Sequence, residues 1–196
     1  MEAKSRRGKP KGDKRERTRA RLLDAALALT REKGFEQTTV QDIARRAGLS
    51  TGAIYGNFRN RDDLFMALGE RQWASIKPEF RPGSSFADLM DAMAAATVAA
   101  IPHREPAAVG ALTFRAYALR HEDVRAKFRD VMAEGYDAGA AWLLSTFDER
   151  DLPMEPNILV RVINALVEGL TFQRLLTPEL VPDEVVYGAF RALGRT

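Results

Sequence analysis

The sequence predicts an all-α chain of about nine helices. Apolar residues recur at spacings of three and four along most of its length, and no segment shows the apolar–polar alternation and β-branched enrichment of a strand. Glycine and proline mark the ends of these helical stretches. The hydrophobic content of 45% is enough to build a core. Cysteine is absent, which excludes disulfides, cysteine metal sites and thiol chemistry.

The N-terminus predicts a basic arm and then a helix. Residues 1–13 contain no periodic apolar residue, so we expect them to form a mobile arm. A first helix is predicted over 14–33, where leucine and alanine recur at helical spacing, and Gly34 ends it. The arm can help binding to a polyanion through charge, or it can act as a tail that aids solubility.

Two short helices follow at close range. Thr38 and Thr39 offer N-caps to a helix that runs through residue 47, and Gly48 breaks it. Ser50 then caps a third helix over 51–58.

The rest of the chain predicts six longer helices. Asn60 caps the first of them, and breaks with the sequences IPHREP, DERDLPMEP and TPELVP separate later ones. The predicted ranges are 61–77, 86–101, 106–120, 123–149, 156–176 and 183–193.

The charge is distributed unevenly between the two ends. Residues 1–65 hold 16 lysines and arginines against 9 acidic residues, whereas residues 66–196 hold 14 against 18. A cationic N-terminal part followed by a slightly anionic remainder is typical of a polyanion-binding module attached to a separate domain. Charge alone does not exclude a solubilising role.

The segment TTVQDIARRAGLSTGAIYGNF, residues 38–58, has the parts of a helix-turn-helix. Ala44 and Ala47 are small enough to let two helices approach, and Gly48 permits the positive φ of a tight turn. Ile54 and Phe58 form an apolar stripe on the second helix, which leaves its other faces free to enter a DNA groove. Helix pairs of this kind also occur in purely structural domains.

Residues 22–64 resemble the N-terminal domain of the TetR family of bacterial repressors. The resemblance rests on residue type and spacing together, in Gly34-Phe35, Thr38-Thr39-Val40, Ile43-Ala44, Ala47-Gly48-Leu49-Ser50, Gly52, Tyr55, Phe58 and Leu64. It implies a DNA-binding domain over 14–65 and a helical domain over 66–196 that dimerises and binds an effector.

The resemblance also implies roles for individual residues. Thr39, Tyr55, Asn57 and Arg61 are expected to contact the DNA backbone, and base contacts are expected from Gln41, Thr51 and Ala53. The predicted DNA-binding set is Thr39, Gln41, Ser50, Thr51, Gly52, Ala53, Tyr55, Asn57 and Arg61.

Two residues depart from the family pattern. Thr30 stands where an aromatic residue is usual, so we expect the first helix to pack less tightly. Gly56 stands inside the predicted third helix, where glycine costs about 0.5–1 kcal/mol relative to alanine.

The helix over 156–176 is apolar nearly all the way round, so it needs covering on more than one side. A homodimer formed by this helix and the last one would provide that cover, and the family resemblance implies the same dimer. The alternative is the central helix of a monomeric bundle. The predicted interface is Leu159, Val162, Ile163, Leu166, Leu170, Val186 and Phe190.

An effector pocket is expected between the middle helices, as the family resemblance implies. Its candidate lining is apolar and aromatic, although each of these residues taken singly fits an ordinary core: Met90, Met93, Thr97, Phe114, Tyr117, Tyr136, Trp142 and Phe172. Binding of an apolar effector there is expected to displace the helix over 61–77 and release the operator.

These observations predict a cytoplasmic, sequence-specific regulator that binds a double-stranded DNA operator of near-palindromic sequence and is released by a small molecule. No cofactor, metal site or membrane span is expected; His103 and His121 are expected at the surface. An enzyme is the second hypothesis, although the sequence has no phosphate loop, HExxH or Ser/His constellation. The third is an architectural protein that binds nucleic acid through charge alone.

Overall fold

A computed structural model describes residues 11–73 and 76–195 of the chain. The described residues form eight α-helices and one 3₁₀ turn at Glu149–Asp151, with no β-strand among them, and the predicted all-α class is confirmed. None of these helices is both long and apolar enough to span a membrane. The α-helices are α1 (Lys11–Lys33), α2 (Val40–Arg46), α3 (Thr51–Tyr55), α4 (Arg61–Gln72), α5 (Phe86–Arg120), α6 (Glu122–Thr146), α7 (Pro156–Leu176) and α8 (Asp183–Leu193).

The start of α1 differs from the prediction. The helix begins at Lys11, so residues 11–13 of the predicted mobile arm are helical. Residues 1–10 of that arm lie outside the described residues. The basic stretch that precedes the apolar part of α1 is therefore a continuation of the same helix.

The predicted break at IPHREP is wrong, because α5 runs through it and contains Pro102 and Pro106. Both prolines lie on the exposed side of the helix. Ile101, Arg104 and Ala107 on the opposite side are 5%, 5% and 6% exposed. Burial along this side holds the helix together although each proline removes one backbone hydrogen bond.

Two other helices are shorter than predicted. α4 ends at Gln72 rather than at residue 77. α3 ends at Tyr55, so Gly56 is the C-cap residue and does not stand inside the helix. The cost expected for a glycine in a helix interior does not arise at this position.

The chain divides into two compact units. The first comprises residues 1–72 together with 109–116, a segment of α5. The second comprises residues 73–108 and 117–196. The boundary expected after residue 65 falls inside α4, whose buried residues continue to Leu68.

Each unit has its own apolar core. In the first, α1, α2, α3 and α4 each bury apolar residues, and the ring of Phe35 contacts those of Phe65 and Phe114 at centroid distances of 4.6 and 5.6 Å. Thr30 of α1 packs against Gly110, where an added Cβ would lie 2.9 Å from the threonine methyl. In the second unit, residues of α5, α6, α7 and α8 form one continuous core.

Candidate nucleic-acid interface

The helix pair α2–α3 forms a rigid corner on the first unit. Ile43 of α2 and Ile54 of α3 are fully buried, and Phe58 is 2% exposed. The turn between the helices passes through Gly48, whose φ of 62° is the positive value that the sequence predicted. The Leu49 amide donates to the Ala44 carbonyl across the turn at 3.0 Å. The corner therefore holds α3 at a fixed angle to α2.

The outer side of this corner is polar and accessible. Gln41, Ser50, Gly52 and Tyr55 are exposed, and the Tyr55 side chain is 57% exposed. Thr51, Ala53 and Asn57 are half-buried. Thr39 at the start of α2 is exposed as well, so five of the nine predicted DNA-binding residues lie on the surface.

Thr39 caps α2 as predicted. Its hydroxyl accepts from the Asp42 amide at 3.1 Å and donates to the Asp42 carboxylate at 2.8 Å. Lys33 and Arg45 also donate to this carboxylate. The hydrogen bonds from Lys33 and then from Thr39 lower the pKa of Asp42 to about 2, so the group is ionised at neutral pH. Thr38, the other predicted cap, is buried and donates to the Gly34 carbonyl instead.

Arg61 is directed into the protein and not toward the outer side of the corner. Its guanidinium donates to the carbonyls of Phe35 and Thr38 and lies over the Phe35 ring at 4.2 Å from the centroid. It also faces the Phe65 ring at 4.7 Å. Arg61 therefore stabilises the turn between α1 and α2 in this structure, and its phosphate contact stays a prediction.

Asn57 lies at the end of α3. Its side-chain amide donates to the Ala53 carbonyl at 2.7 Å, which ties the side chain to the last turn of the helix. Its backbone carbonyl accepts from Arg19 at 3.2 Å. The residue thus follows the C-cap of α3 and is half-buried.

The family model for bacterial regulatory proteins of the tetR family matches residues 22–68, the segment that contains this corner. The similarity to this family is thus shown for residues 22–68. The regulator AcrR of Shigella flexneri is 39% identical over 59 residues, which cover 30% of this chain and 27% of AcrR. The regulator TtgR of Pseudomonas putida is 43% identical over 51 residues, which cover 26% of this chain and 24% of TtgR. The match thus spans about a quarter of the length of each of these two relatives.

Solved structures of TetR-type regulators share the fold over most of the chain. A TetR-family regulator from a Rhodococcus species superposes with a TM-score of 0.69 at 22% identity, covering 90% of this chain and 96% of that one. NalD of Pseudomonas aeruginosa, a secondary repressor of the MexAB-OprM multidrug efflux pump, superposes with a TM-score of 0.62 at 24% identity. That match covers 92% of this chain and 96% of NalD.

The residues predicted to line an effector pocket do not share one environment. Phe114 belongs to the first unit, where it packs on Phe35. Met90 and Thr97 are fully buried and Met93 is 8% exposed, whereas Trp142 is 44% exposed. The others contact different neighbours: Tyr117 stacks on His121, Tyr136 accepts from Asn164, and Phe172 stacks on Trp73.

One cluster in the second unit has the mixed character of a small-molecule site. Trp73 stacks on Phe172 of α7 at a centroid distance of 4.9 Å, and the guanidinium of Arg104 lies 5.1 Å from the Trp73 centroid. Thr171, next to Phe172, is fully buried, and its hydroxyl has no hydrogen-bond partner within the described part of the chain. Of these residues, only Phe172 was predicted from the sequence. Trp73 lies near the end of the predicted helix over 61–77, and Arg104 lies in the predicted break IPHREP.

Four residues of the predicted dimer interface are instead core residues of one subunit. Leu159, Val186 and Phe190 are fully buried and Leu170 is 8% exposed, all within the core of the second unit. Val162, Ile163 and Leu166 are half-buried. The apolar side chains that remain exposed nearby are Ile158, Leu176, Leu180 and Val185.

No group of three or more potential metal ligands occurs in the ranges 11–73 and 76–195. His103 is exposed, and His121 caps the junction of α5 and α6, where its ring stacks on Tyr117. A shallow groove along α8 includes none of the predicted effector residues; it is lined by Asp183, Glu184, Tyr187, Gly188, Arg191, Ala192 and Arg195.

Proposed function

We propose that this chain is a cytoplasmic repressor of the TetR family that binds a near-palindromic operator as a homodimer and releases it when a small molecule binds. The observation that carries the proposal is the buttressed α2–α3 corner with Gln41, Ser50 and Tyr55 exposed on its outer side. A helix presented in this way fits the width of a major groove. The curated relatives that match this segment are named as transcriptional regulators.

We assign the polar surface of the corner two tasks. Gln41, Thr51 and Ala53 read bases, because glutamine can pair with adenine and the methyl groups of threonine and alanine can contact thymine. Ser50 and Gly52 let the start of α3 approach the groove. Thr39, Tyr55 and Asn57 contact the phosphate backbone and set the register.

The homodimer is supported by exposed apolar residues around α7 and α8. Leu176 is 74% exposed, Leu180 69%, Ile158 53% and Val185 42%. Large apolar side chains exposed to this degree are typical of an interface between subunits. A homodimer carries two copies of α3, which successive turns of a duplex can accommodate.

We propose the Trp73–Phe172 pair as the effector site. The two stacked rings offer an apolar wall, and the Arg104 guanidinium adds a polar group at its margin. We therefore propose an aromatic effector that carries a hydrogen-bond acceptor. A relative in fold, SmeT, has been solved with triclosan, and another, EbrR, with imidazole.

Trp73 directly follows Gln72, the last residue of α4. We therefore expect effector binding at Trp73 to act on α4 through this direct connection. A ligand shifts the balance between a DNA-competent and an incompetent state only by its difference in affinity for the two. Thermal-shift screening of metabolites and drugs identifies stabilising ligands. A ligand that binds this site tightly and leaves operator affinity unchanged would contradict this part of the proposal.

The DNA-binding proposal is tested by selecting duplexes from a random library with the full-length chain. We expect enrichment of a sequence with two-fold symmetry. Enrichment that vanishes as salt rises, without any consensus, would favour an architectural protein that binds through charge alone.

A further inference from the structure

The five-residue helix α3 has little intrinsic means of holding its position. Helices this short are marginal in isolation. Ser50, its N-cap residue, makes no side-chain hydrogen bond to the first turn, and no basic residue lies in its last turn. The segment that contacts DNA in the proposed function must therefore be held by other parts of the protein.

Arg19 of α1 holds the C-terminal end of this segment. Its guanidinium donates to the Asn57 carbonyl at 3.2 Å and lies 4.4 Å from the centroid of the buried Phe58 ring. Cations are favourable at the C-terminal end of a helix, where unpaired carbonyls accumulate. Arg19 thus supplies from another helix the cation that α3 lacks.

Arg21 of α1 holds the turn that precedes α3, at the C-cap of α2. It donates to the Ala47 carbonyl at 2.6 Å, and its terminal nitrogen lies 3.4 Å from where a Cβ on Gly48 would stand. The basic residues of α2 itself are engaged elsewhere, since Arg45 pairs with Asp42 and Arg46 with Glu32. Arg21 is thereby the cation over the turn that leads into α3.

We propose that Arg19 and Arg21 are positioning residues that fasten the segment after α3 and the turn before it to α1, and so fix the register of α3 in a DNA groove. In the sequence they belong to a run of arginines that reads as a phosphate-binding stretch. The structure separates them from Arg15, which is exposed on the same helix and whose side chain has no hydrogen bond to any described residue. This inference rests on the proposed DNA binding.

The experiment compares Arg19→Ala and Arg21→Ala with the control Arg15→Ala in the full-length chain. Each variant removes one positive charge from α1. We measure hydrogen exchange of the α3 backbone amides in the free protein. We then measure affinity for the selected duplex and for its scrambled version at several salt concentrations.

For Arg19→Ala and Arg21→Ala we expect about a tenfold loss of affinity for the selected duplex and about a tenfold faster exchange in α3, the size expected for one charged hydrogen bond. We expect their affinity for the scrambled duplex to change no more than that of Arg15→Ala does. For Arg15→Ala we expect unchanged exchange and an equal loss on both duplexes. Lysine keeps the charge but not the guanidinium geometry, so we expect Arg19→Lys and Arg21→Lys to lose an intermediate amount of affinity for the selected duplex. These variants replace any alanine variant that does not fold.

Variants at Arg19 and Arg21 that match the control in both exchange and specificity would overturn the inference. A phosphate contact would instead lower affinity for both duplexes and reduce the salt slope by about 0.9 per contact. If the wild-type chain prefers no duplex, the proposed function fails, and the exchange measurement still decides whether the two arginines hold α3.

Discussion

Two glycines flank α3, and their backbone angles differ. Gly48 has φ of 62°, whereas Gly56 has φ of −73° and ψ of −14°, which any residue adopts. The first glycine is thus required by the turn, and the second is replaceable.

We expect Gly48→Ala to lower the free energy of unfolding by about 1–2 kcal/mol, because a Cβ is strained at positive φ. Gly56→Ala is its control, and we expect it to be neutral or to stabilise by up to about 1 kcal/mol, through reduced freedom of the unfolded chain. Urea denaturation measures both. Equal effects of the two variants would show that the turn does not have the described geometry.

Asp42 links three cationic or hydroxyl groups at the start of α2. Its pKa is lowered from 3.8 to about 2, first by the hydrogen bond from Lys33 and then by that from Thr39. A lowered folded-state pKa means that the ionised carboxylate stabilises the fold above the ordinary pKa. This contribution is lost as the pH falls from about 4 toward 2.

We expect wild-type chain to lose thermal stability more steeply than Asp42→Asn over that pH interval. The thermal unfolding midpoint, followed from pH 5 to pH 2, measures the difference. Asp137→Asn, at an exposed position on α6, is the matched control and is expected to follow wild type. Parallel curves for Asp42→Asn and wild type would argue against the network around Asp42.

The sequence predicts the bounds and packed faces of helices best where local signals and tertiary packing agree. The bounds of α7 and α8 match their predicted ranges, since each begins beside a proline and carries a strong apolar pattern. The packed faces of α2 and α3 were also predicted, and Ile43, Ile54 and Phe58 are buried. The break predicted at IPHREP is absent, because burial on the opposite side of α5 outweighs the destabilising effect of its two prolines.

The continuity of α5 predicts the effect of removing its prolines. Pro102→Ala and Pro106→Ala each restore a backbone donor, and interior proline costs about 3 kcal/mol relative to alanine. We therefore expect each variant to raise the free energy of unfolding by about 1 kcal/mol or more, measured in urea.

Pro82→Ala is the control for these variants. It lies in the exposed turn before Gly83, where proline favours the turn and alanine is expected to stabilise nothing. Loss of stability in the two helix variants would indicate that the prolines end a helix after all.

For the whole molecule, the sequence does not determine which side of an apolar helix packs in the core of its own chain. α7 is apolar nearly all the way round, so Leu159 and Leu170 were assigned to a partner although they pack inside the subunit. The Trp73–Phe172 pair joins residues 99 positions apart, and no local pattern links them. Both findings depend on tertiary packing.

The exposed apolar surface near α7 predicts how dimerisation responds to charge. We expect Leu176→Asp to shift the chain from dimer to monomer in sedimentation velocity at micromolar concentration, because a buried unpaired carboxylate is costly. Leu119→Asp is the matched control, since Leu119 is 73% exposed and Leu176 is 74% exposed. A monomeric wild type, or equal behaviour of the two variants, would contradict the assigned interface.

In the proposed function, the α2–α3 corner reads a DNA sequence. The most direct measurement is the affinity ratio between the selected duplex and its scrambled version, at one fixed salt concentration, for wild type, Gln41→Ala on the corner and Gln173→Ala on α7. We predict a ratio of about 10³ or more for wild type and Gln173→Ala, and a clear reduction for Gln41→Ala. A wild-type ratio near one, or a ratio that Gln41→Ala leaves intact while Gln173→Ala lowers it, would contradict the account.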